Sequence, residues 1–394
     1  QLIQNLQIFK NMKLLYTAGT ARGGTNYRTL ILNNHRKISM SIDPFIPLFH
    51  FYKKSLLMAS GNENLLKNSF SNVIDDYYFD RTKLSIMKAI QDADPDIPFD
   101  LSNLEELKIK MISRMSLASA NLIPHIDKIF APTFKEVFYN IIDLLGSLTK
   151  KKLEWVGFND NWTLEFFPLI AKLFPEAKFI IHLRDPRAVI YSSEFAEPDP
   201  AKRPTIMSFA RHLRKYMAFT DFFKNSKIFK KRLLVTYYEP FINNPDKEVK
   251  KVLEFLGLNY ESHITDIGSF KKANGDLWPT SNEIYKTSSN IWEKEMPKEM
   301  AELTEFICSP DMNFFGYYPK YFKETNGLSE KTYQYALKNF NSCIGWRTDF
   351  KEFSKTMGSE FNRKRILKSS YKFSKNDIEE NFLFSQIYES IKNI

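Results

Sequence analysis

The chain has 394 residues, 43% of them hydrophobic, and a net charge of +10, enough for one large domain or two. This composition excludes a disordered chain. No apolar run reaches the roughly 18 residues of a membrane helix; residues 164–183 come nearest and are interrupted by Glu165, Lys172, Glu176 and Lys178. No signal-peptide pattern is visible, and the two cysteines, Cys308 and Cys343, offer neither a disulfide framework nor a metal cluster. A reducing, cytoplasmic location is therefore expected. The basic residues are spread along the chain without an arginine-rich arm or zinc-finger spacing. Small anionic ligands are the stronger expectation and nucleic acid the weaker.

Residues 13–43 read as strand, loop, helix and strand: Leu14 to Thr17, then a helix from Asn26 to Asn33, then Ile38 to Ile42 alternating apolar and polar. Residues 48–150 read as a mostly helical insertion. Ser102 with Glu105, and Thr133 with Glu136, have capping-box spacing, and Gly146 suits a C-terminal cap. From Leu153 the strand–helix alternation resumes. Strands are expected at Leu153–Phe158, Lys178–Leu183 and Leu233–Tyr238, with helices at Leu164–Phe174, after Asp185-Pro186, at 205–224, and from Asn244-Pro245 to Leu256-Gly257. The pattern predicts a three-layer α/β/α fold with a central parallel sheet. Residues 1–320 are expected to form one domain, and 321–394 a helical extension with a helix near Ile378–Ile391 that serves packing or acceptor contact.

Two segments carry chemistry. Leu14 to Arg28 holds Gly19-Thr20-Ala21-Arg22-Gly23-Gly24-Thr25-Asn26, and Phe179 to Ser193 holds Arg184-Asp185-Pro186-Arg187 with Ser192 eight residues after Arg184. Each is an apolar run, a turn bearing arginine with glycine or hydroxyl groups, and a helix start. Such a turn points backbone N–H groups at an anion. Two of them predict a ligand with two separated anionic groups. Gly19 to Gly24 has the spacing of a P-loop, but Thr25-Asn26 follow where a kinase-type loop has Lys and then Ser or Thr. The cation is Arg22, inside the loop. Arg184 and Ser192 lie about two helical turns apart and suit one phosphate. A structural arginine paired with Asp185 or a nearby carboxylate is the alternative.

Together these segments resemble the sulfotransferase superfamily. Arg22-Gly23-Gly24-Thr25-Asn26 is similar to its 5′-phosphosulfate loop, and Arg184 to Ser192 to its 3′-phosphate segment. Leu234-Val235-Thr236-Tyr237-Tyr238-Glu239-Pro240-Phe241, with Pro245 and Phe255-Leu256-Gly257-Leu258, resembles a later stretch of the family. Asn159-Asp160-Asn161-Trp162-Thr163-Leu164 and Leu173 to Phe179 resemble the tyrosylprotein and carbohydrate branch most. Gly23 stands where the family usually has serine, Asn26 where it has a hydroxyl, and Asn159 where relatives often have lysine.

The resemblance implies transfer of a sulfuryl group from 3′-phosphoadenosine 5′-phosphosulfate to an acceptor hydroxyl, without a metal. Arg22 would stand beside the bridging oxygen. Gly23, Gly24, Thr25, Asn26 and Tyr27 would hold the 5′-phosphate, and Arg184 and Ser192 the 3′-phosphate. Tyr238 would touch the adenosine or pack. Asp43, just past the second strand at the C-terminal edge of the sheet, is the expected general base, where the branch has glutamate. Asp160 is the second candidate. His35, expected in an exposed loop, and His182, expected mid-strand as a packed or surface histidine, are weaker. Lys271 to Asp276 resembles a nucleotide-covering segment, with Trp278 and Ser281 nearby. A P-loop kinase and a basic nucleic-acid-binding protein are the alternative functions, and the acceptor is left open.

Overall fold

A computed structural model describes residues 12–59, 61, 88–98, 102–149, 152–195, 199–266, 289–343 and 353–392. The chain divides into two compact units, residues 1–63, 89–183 and 227–286, and residues 64–88, 184–226 and 287–394.

The first unit is built on a parallel sheet. Its strands are β1 (Lys13–Gly19), β2 (Ile38–Ile42), β3 (Trp155–Asn159), β4 (Lys178–Leu183) and β5 (Leu233–Tyr237), in the order β2-β3-β1-β4-β5. The inner strands β1, β3 and β4 are apolar and almost wholly buried, as parallel strands covered on both faces must be. β2 lies at the edge and alternates buried and half-buried residues. The chain runs from β1 to one side of the sheet and later crosses to the other. Ligands in open α/β sheets bind outside the carboxyl ends of the strands at such a reversal.

Neighbouring residues of each strand point to opposite faces. Leu15, Trp155 and Ile180 join a cluster with α1 (Thr25–Asn34), α8 (Tyr238–Asn243) and α9 (Pro245–Leu256), through Ile31, Phe241 and Val252. Tyr16, Phe158 and Phe179 face the other way. Tyr16 meets Phe49 of α2 (Ile46–Ala59) and Phe167 of α5 (Phe167–Leu173), and Phe49 meets Phe138 of α4 (Phe134–Ser147). Helix, sheet and helix thus form the three expected layers, and these aromatic rings are core.

The insertion after β2 contributes α2, α3 (Leu104–Met115) and α4. The expected box at Thr133 forms reciprocally: Glu136 N–H donates to Thr133 Oγ1 at 3.2 Å, and Thr133 N–H to Glu136 Oε2 at 3.1 Å. The box expected at Ser102 and Glu105 does not form. Asn103 is the N-cap, its amide donates to Ser102 Oγ, and Glu105 accepts from Lys108 instead. Gly146 lies inside α4, and Leu148 caps it. The helix expected at Leu164–Phe174 opens with a 3₁₀ turn, Leu164–Phe166. Asn244 and Gly257 cap α9 as expected.

The second unit contains α6 (Pro186–Phe195), α7 (Ile206–Lys224), α10 (Ile291–Glu295), α11 (Lys298–Cys308), α12 (Glu330–Ser342), α13 (Phe353–Lys368), α14 (Lys375–Phe382) and α15 (Ser385–Lys392) among its described residues. Its extent differs from the expected boundary at residue 320. The reason lies in α7, buried along nearly its whole length. Arg214 of α7 donates to Ile307 O of α11, and Arg211 and Arg214 both bind Glu360 of α13. These bonds tie residues 206–224 to the C-terminal helices. The helix expected near 378–391 is two, α14 and α15.

Candidate active site

The turn after β1 is a strained, anion-ready loop. Arg22 is exposed and holds φ 62°, a left-handed conformation uncommon for a residue with a side chain. Gly23 N–H donates to Thr20 O at 2.9 Å, and a Cβ at Gly23 would stand 2.7 Å from that same oxygen. The serine usual in the family would collide here. Gly24 has φ 83°, and a Cβ on it would lie 2.2 Å from the Tyr238 ring. Tyr238 therefore packs on the loop. The Tyr27 ring is in the core, edge-on to Phe241. No side chain caps α1, and its first turn has no acidic residue. A helix start of that kind favours an anion. Thr20 Oγ1 and Asn26 Oδ1 are buried without a hydrogen-bond partner among the described residues.

The ends of β1, β2 and β3 bring one polar network beside this loop. Asp43 N–H donates to Asn159 O at 2.6 Å, extending the β2–β3 pairing by one residue. Asp43 then turns at φ 46°. Its Oδ1 accepts from Asn159 Nδ2 and from Asn161 N–H, each at 3.2 Å, and its Oδ2 accepts from Arg114 Nη2 at 3.0 Å. Asn161 Nδ2 also donates to Thr25 Oγ1 at 3.2 Å, which leaves the threonine's own proton for an acceptor such as a phosphate oxygen. Burial pushes the Asp43 carboxyl above its ordinary range, against the pull of Arg114 and the two asparagines. The Asp43 side chain keeps 15% of its surface exposed, and that of Arg114 keeps 30%.

The insertion grips this segment twice. Arg114 Nε donates to Asp43 O at 3.2 Å, and Ser119 Oγ bonds both the N–H and the carbonyl of Ile42. Arg114, Asn161 and Arg28 were not singled out from sequence. For Asn161 the available signal is the polar run Asn159-Asp160-Asn161 at a strand end.

Asp160 proves to be a helix anchor. It is fully buried, and its carboxylate accepts from Phe45 N–H at 3.1 Å at the start of α2. Burial first, and the Asp43 charge second, raise its pKa well above the ordinary carboxylate value. His35 is buried, not exposed. Its Nδ1 accepts from Lys37 N–H, so Nε2 carries the proton that it donates to Asn259 O at 3.0 Å. His182 is packed within β4 beside Thr236 Oγ1, 2.7 Å from Nδ1. Lys271 to Asp276, Trp278 and Ser281 lie outside the described residues.

In the second unit, Arg184 is buried and Ser192 lies half-buried on α6. The Arg187 guanidinium bonds Asp185 at 2.9 and 2.7 Å and also binds Glu305 at 2.7 Å. Its guanidinium stacks 4.2 Å from the Trp292 ring centre. Arg187 is thus a structural arginine of this turn.

An anion loop and a partly exposed carboxylate joined through one asparagine suit group transfer to a hydroxyl. The model of the sulfotransferase family matches residues 16–262, well over half of the chain. The chain belongs to the sulfotransferase family. This sulfotransferase is 24% identical to a Caenorhabditis briggsae protein named "Putative protein-tyrosine sulfotransferase", over 46% of this chain and 68% of that one. It is 23% identical to the protein-tyrosine sulfotransferase of Drosophila melanogaster, over 41% of this chain and 34% of the relative. These relatives carry the tyrosylprotein branch that the Asn159–Leu164 segment resembles. Among solved structures, the sulfotransferase domain from the curacin biosynthetic pathway overlaps it with a TM-score of 0.43 at 12% identity, covering 78% of this chain and 99% of that one, too loosely to add to the assignment. The reaction of this sulfotransferase is sulfuryl transfer to an acceptor hydroxyl.

Proposed function

We propose that the donor is 3′-phosphoadenosine 5′-phosphosulfate and that Asp43 takes the proton of the acceptor hydroxyl. The observation that carries this reading is Asn161, which holds Thr25 of the anion loop with its side chain and Asp43 with its backbone N–H. Donor loop and base therefore share one rigid support at the sheet edge, and alignment is what in-line group transfer needs most. Arg22 supplies the cation for charge developing on the leaving oxygen, and the N–H groups from Gly23 to Asn26 with Thr25 Oγ1 hold the 5′-phosphate. The family resemblance assigns the 3′-phosphate to Arg184 and Ser192.

The names of the relatives support a peptide tyrosine as acceptor, with the insertion that carries Arg114 as the acceptor region. The location proposed with this function is cytoplasmic, supported by Cys308 and Cys343, which form no disulfide among the described residues. The test is thermal. Adenosine 3′,5′-bisphosphate raises the melting temperature by linkage, and ATP with magnesium does not. Radiolabelled donor then transfers label to a tyrosine peptide. A melting temperature unmoved by the bisphosphate removes the donor assignment.

A further inference from the structure

We propose that Asn159 is a positioning residue that decides which oxygen of Asp43 receives the acceptor's proton, and that Arg28 is the lock holding Asn159 in that sense. The inference rests on the reading of Asp43 as the base.

Arg28 lies on α1 with 0% of its surface exposed. Its Nη2 donates to Asn159 Oδ1 at 2.9 Å, and Nε and Nη1 have no hydrogen-bond partner among the described residues. Burial lowers its pKa to about 9, so it is still a cation at neutral pH. Thr17 Oγ1 donates to the same Asn159 oxygen at 3.1 Å.

These contacts fix the orientation of the amide. A guanidinium only donates, so the atom facing Arg28 must be the oxygen. An ionised carboxylate only accepts, so the atom facing Asp43 must be the NH₂ group. Both demands give the same orientation. With Oδ1 holding two donors, the amide has no second way to sit.

The consequence falls on Asp43. Its Oδ1 is filled by Asn159 Nδ2 and Asn161 N–H, whereas Oδ2 meets Arg114 at 3.0 Å and Asn161 Nδ2 only at 3.5 Å. Oδ2 keeps a lone pair for a proton. In the step, the acceptor O–H bond breaks and its proton goes to Oδ2. The acceptor oxygen bonds to sulfur as the bond from sulfur to the bridging oxygen breaks, and that electron pair leaves with the bisphosphate. The charged groups facing Asp43 are Arg114 from α3 and Asp160 from the end of β3, with Arg28 behind Asn159.

The test is the pH dependence of kcat/KM, measured with bisphosphate affinity on the same samples. Asn159→Asp keeps the shape and satisfies Arg28, but sets a second carboxylate against Oδ1. Its acid limb is expected to rise by about one unit or more, with bisphosphate affinity within about threefold of wild type if donor contacts are untouched. Thr17→Val, which leaves every charge in place, removes one of the two donors to Asn159 Oδ1 and shifts the limb the same way by less, so the proposal stays testable if the first variant folds poorly. An acid limb unmoved in both variants, with Asp43→Asn inactive, overturns the positioning role alone. Asp43→Asn with full turnover overturns the base reading and this inference with it.

Discussion

Arg114 Nη2 lies 3.0 Å from Asp43 Oδ2, and the same side chain reaches the Asp43 carbonyl through Nε. A helix of the insertion thereby holds the proposed base by both its carboxylate and its backbone. Arg114 pulls the Asp43 pKa down while burial pushes it up. Removing the cation with Arg114→Gln leaves burial opposed only by the two asparagines and raises the pKa further. More of the base is then protonated at any pH near the acid limb. Turnover is expected to fall most at low pH and to recover as pH rises, which a kcat profile against pH reads directly. A uniform loss at all pH values would mean that Arg114 acts on something other than the titration of Asp43.

Asp43→Asn and Asp160→Asn should behave differently. The first removes the proposed general base, so kcat is expected to fall by roughly 10²–10⁴-fold, with bisphosphate titration nearly unchanged. The second alters a helix anchor and leaves turnover close to wild type. Its effect is on stability. Asp160 titrates higher when folded than when unfolded. Above the ordinary carboxylate value the folded state therefore holds a proton that the unfolded state has lost, and stability falls as pH rises through that window. Asp160→Asn should flatten this slope in urea unfolding series. A dead Asp160→Asn with an active Asp43→Asn would exchange the two roles.

Gly23→Ser restores the family's usual residue to the loop, and the geometry predicts harm. A Cβ there meets Thr20 O and Oγ1, each at 2.7 Å, and backbone on that side cannot yield as a flexible side chain does. Donor affinity should weaken, as measured by bisphosphate calorimetry. Equal or tighter binding would show that the loop relaxes freely.

Arg184→Ala tests the proposed 3′-phosphate contact. A lost hydrogen bond to a charged group costs roughly 1.5–3 kcal/mol, so bisphosphate affinity should fall about 10- to 150-fold. Adenosine 5′-monophosphate, which lacks the 3′ group, should bind wild type and variant alike. A variant that binds the bisphosphate as tightly as wild type removes Arg184 from the site.

Glu360 is the hub of the second unit, bound by Arg211 and Arg214 in an almost fully buried cluster. Burial pushes its carboxyl up, but the two arginines prevail and bring it down to about 2. Because the folded value is the lower one, the stabilisation is present above the unfolded value and is lost as pH falls toward about 2. Glu360→Gln leaves two buried cations short of their counter-charge. A cost of roughly 3–5 kcal/mol is expected, read as a lower denaturation midpoint at neutral pH and a smaller gap from wild type in acid.

Local chemistry was enough to determine much of this protein. The apolar run Lys178–Leu183 became a buried central strand, Asn244 and Gly257 closed α9 at both ends, and the Gly19–Gly24 turn sits between β1 and α1 where its spacing placed it. These features depend on hydrophobic period and on the conformational demands of a few residues, which are written in consecutive positions. The surroundings of Asp43 and Asp160 were not. Both are acidic residues one step past a strand, and sequence alone ranks them only weakly. Parallel pairing sets the ends of β1, β2 and β3 side by side, and the insertion returns over β2. Only that assembly gives Asp160 to the N-terminus of α2 and gives Asp43 the side chains of Arg114 and Asn159 and the backbone of Asn161. Those partners lie between 71 and 118 residues away along the chain. A carboxylate's work is set by the charges and donors within a few ångströms of it, and at this site they are brought together by tertiary structure.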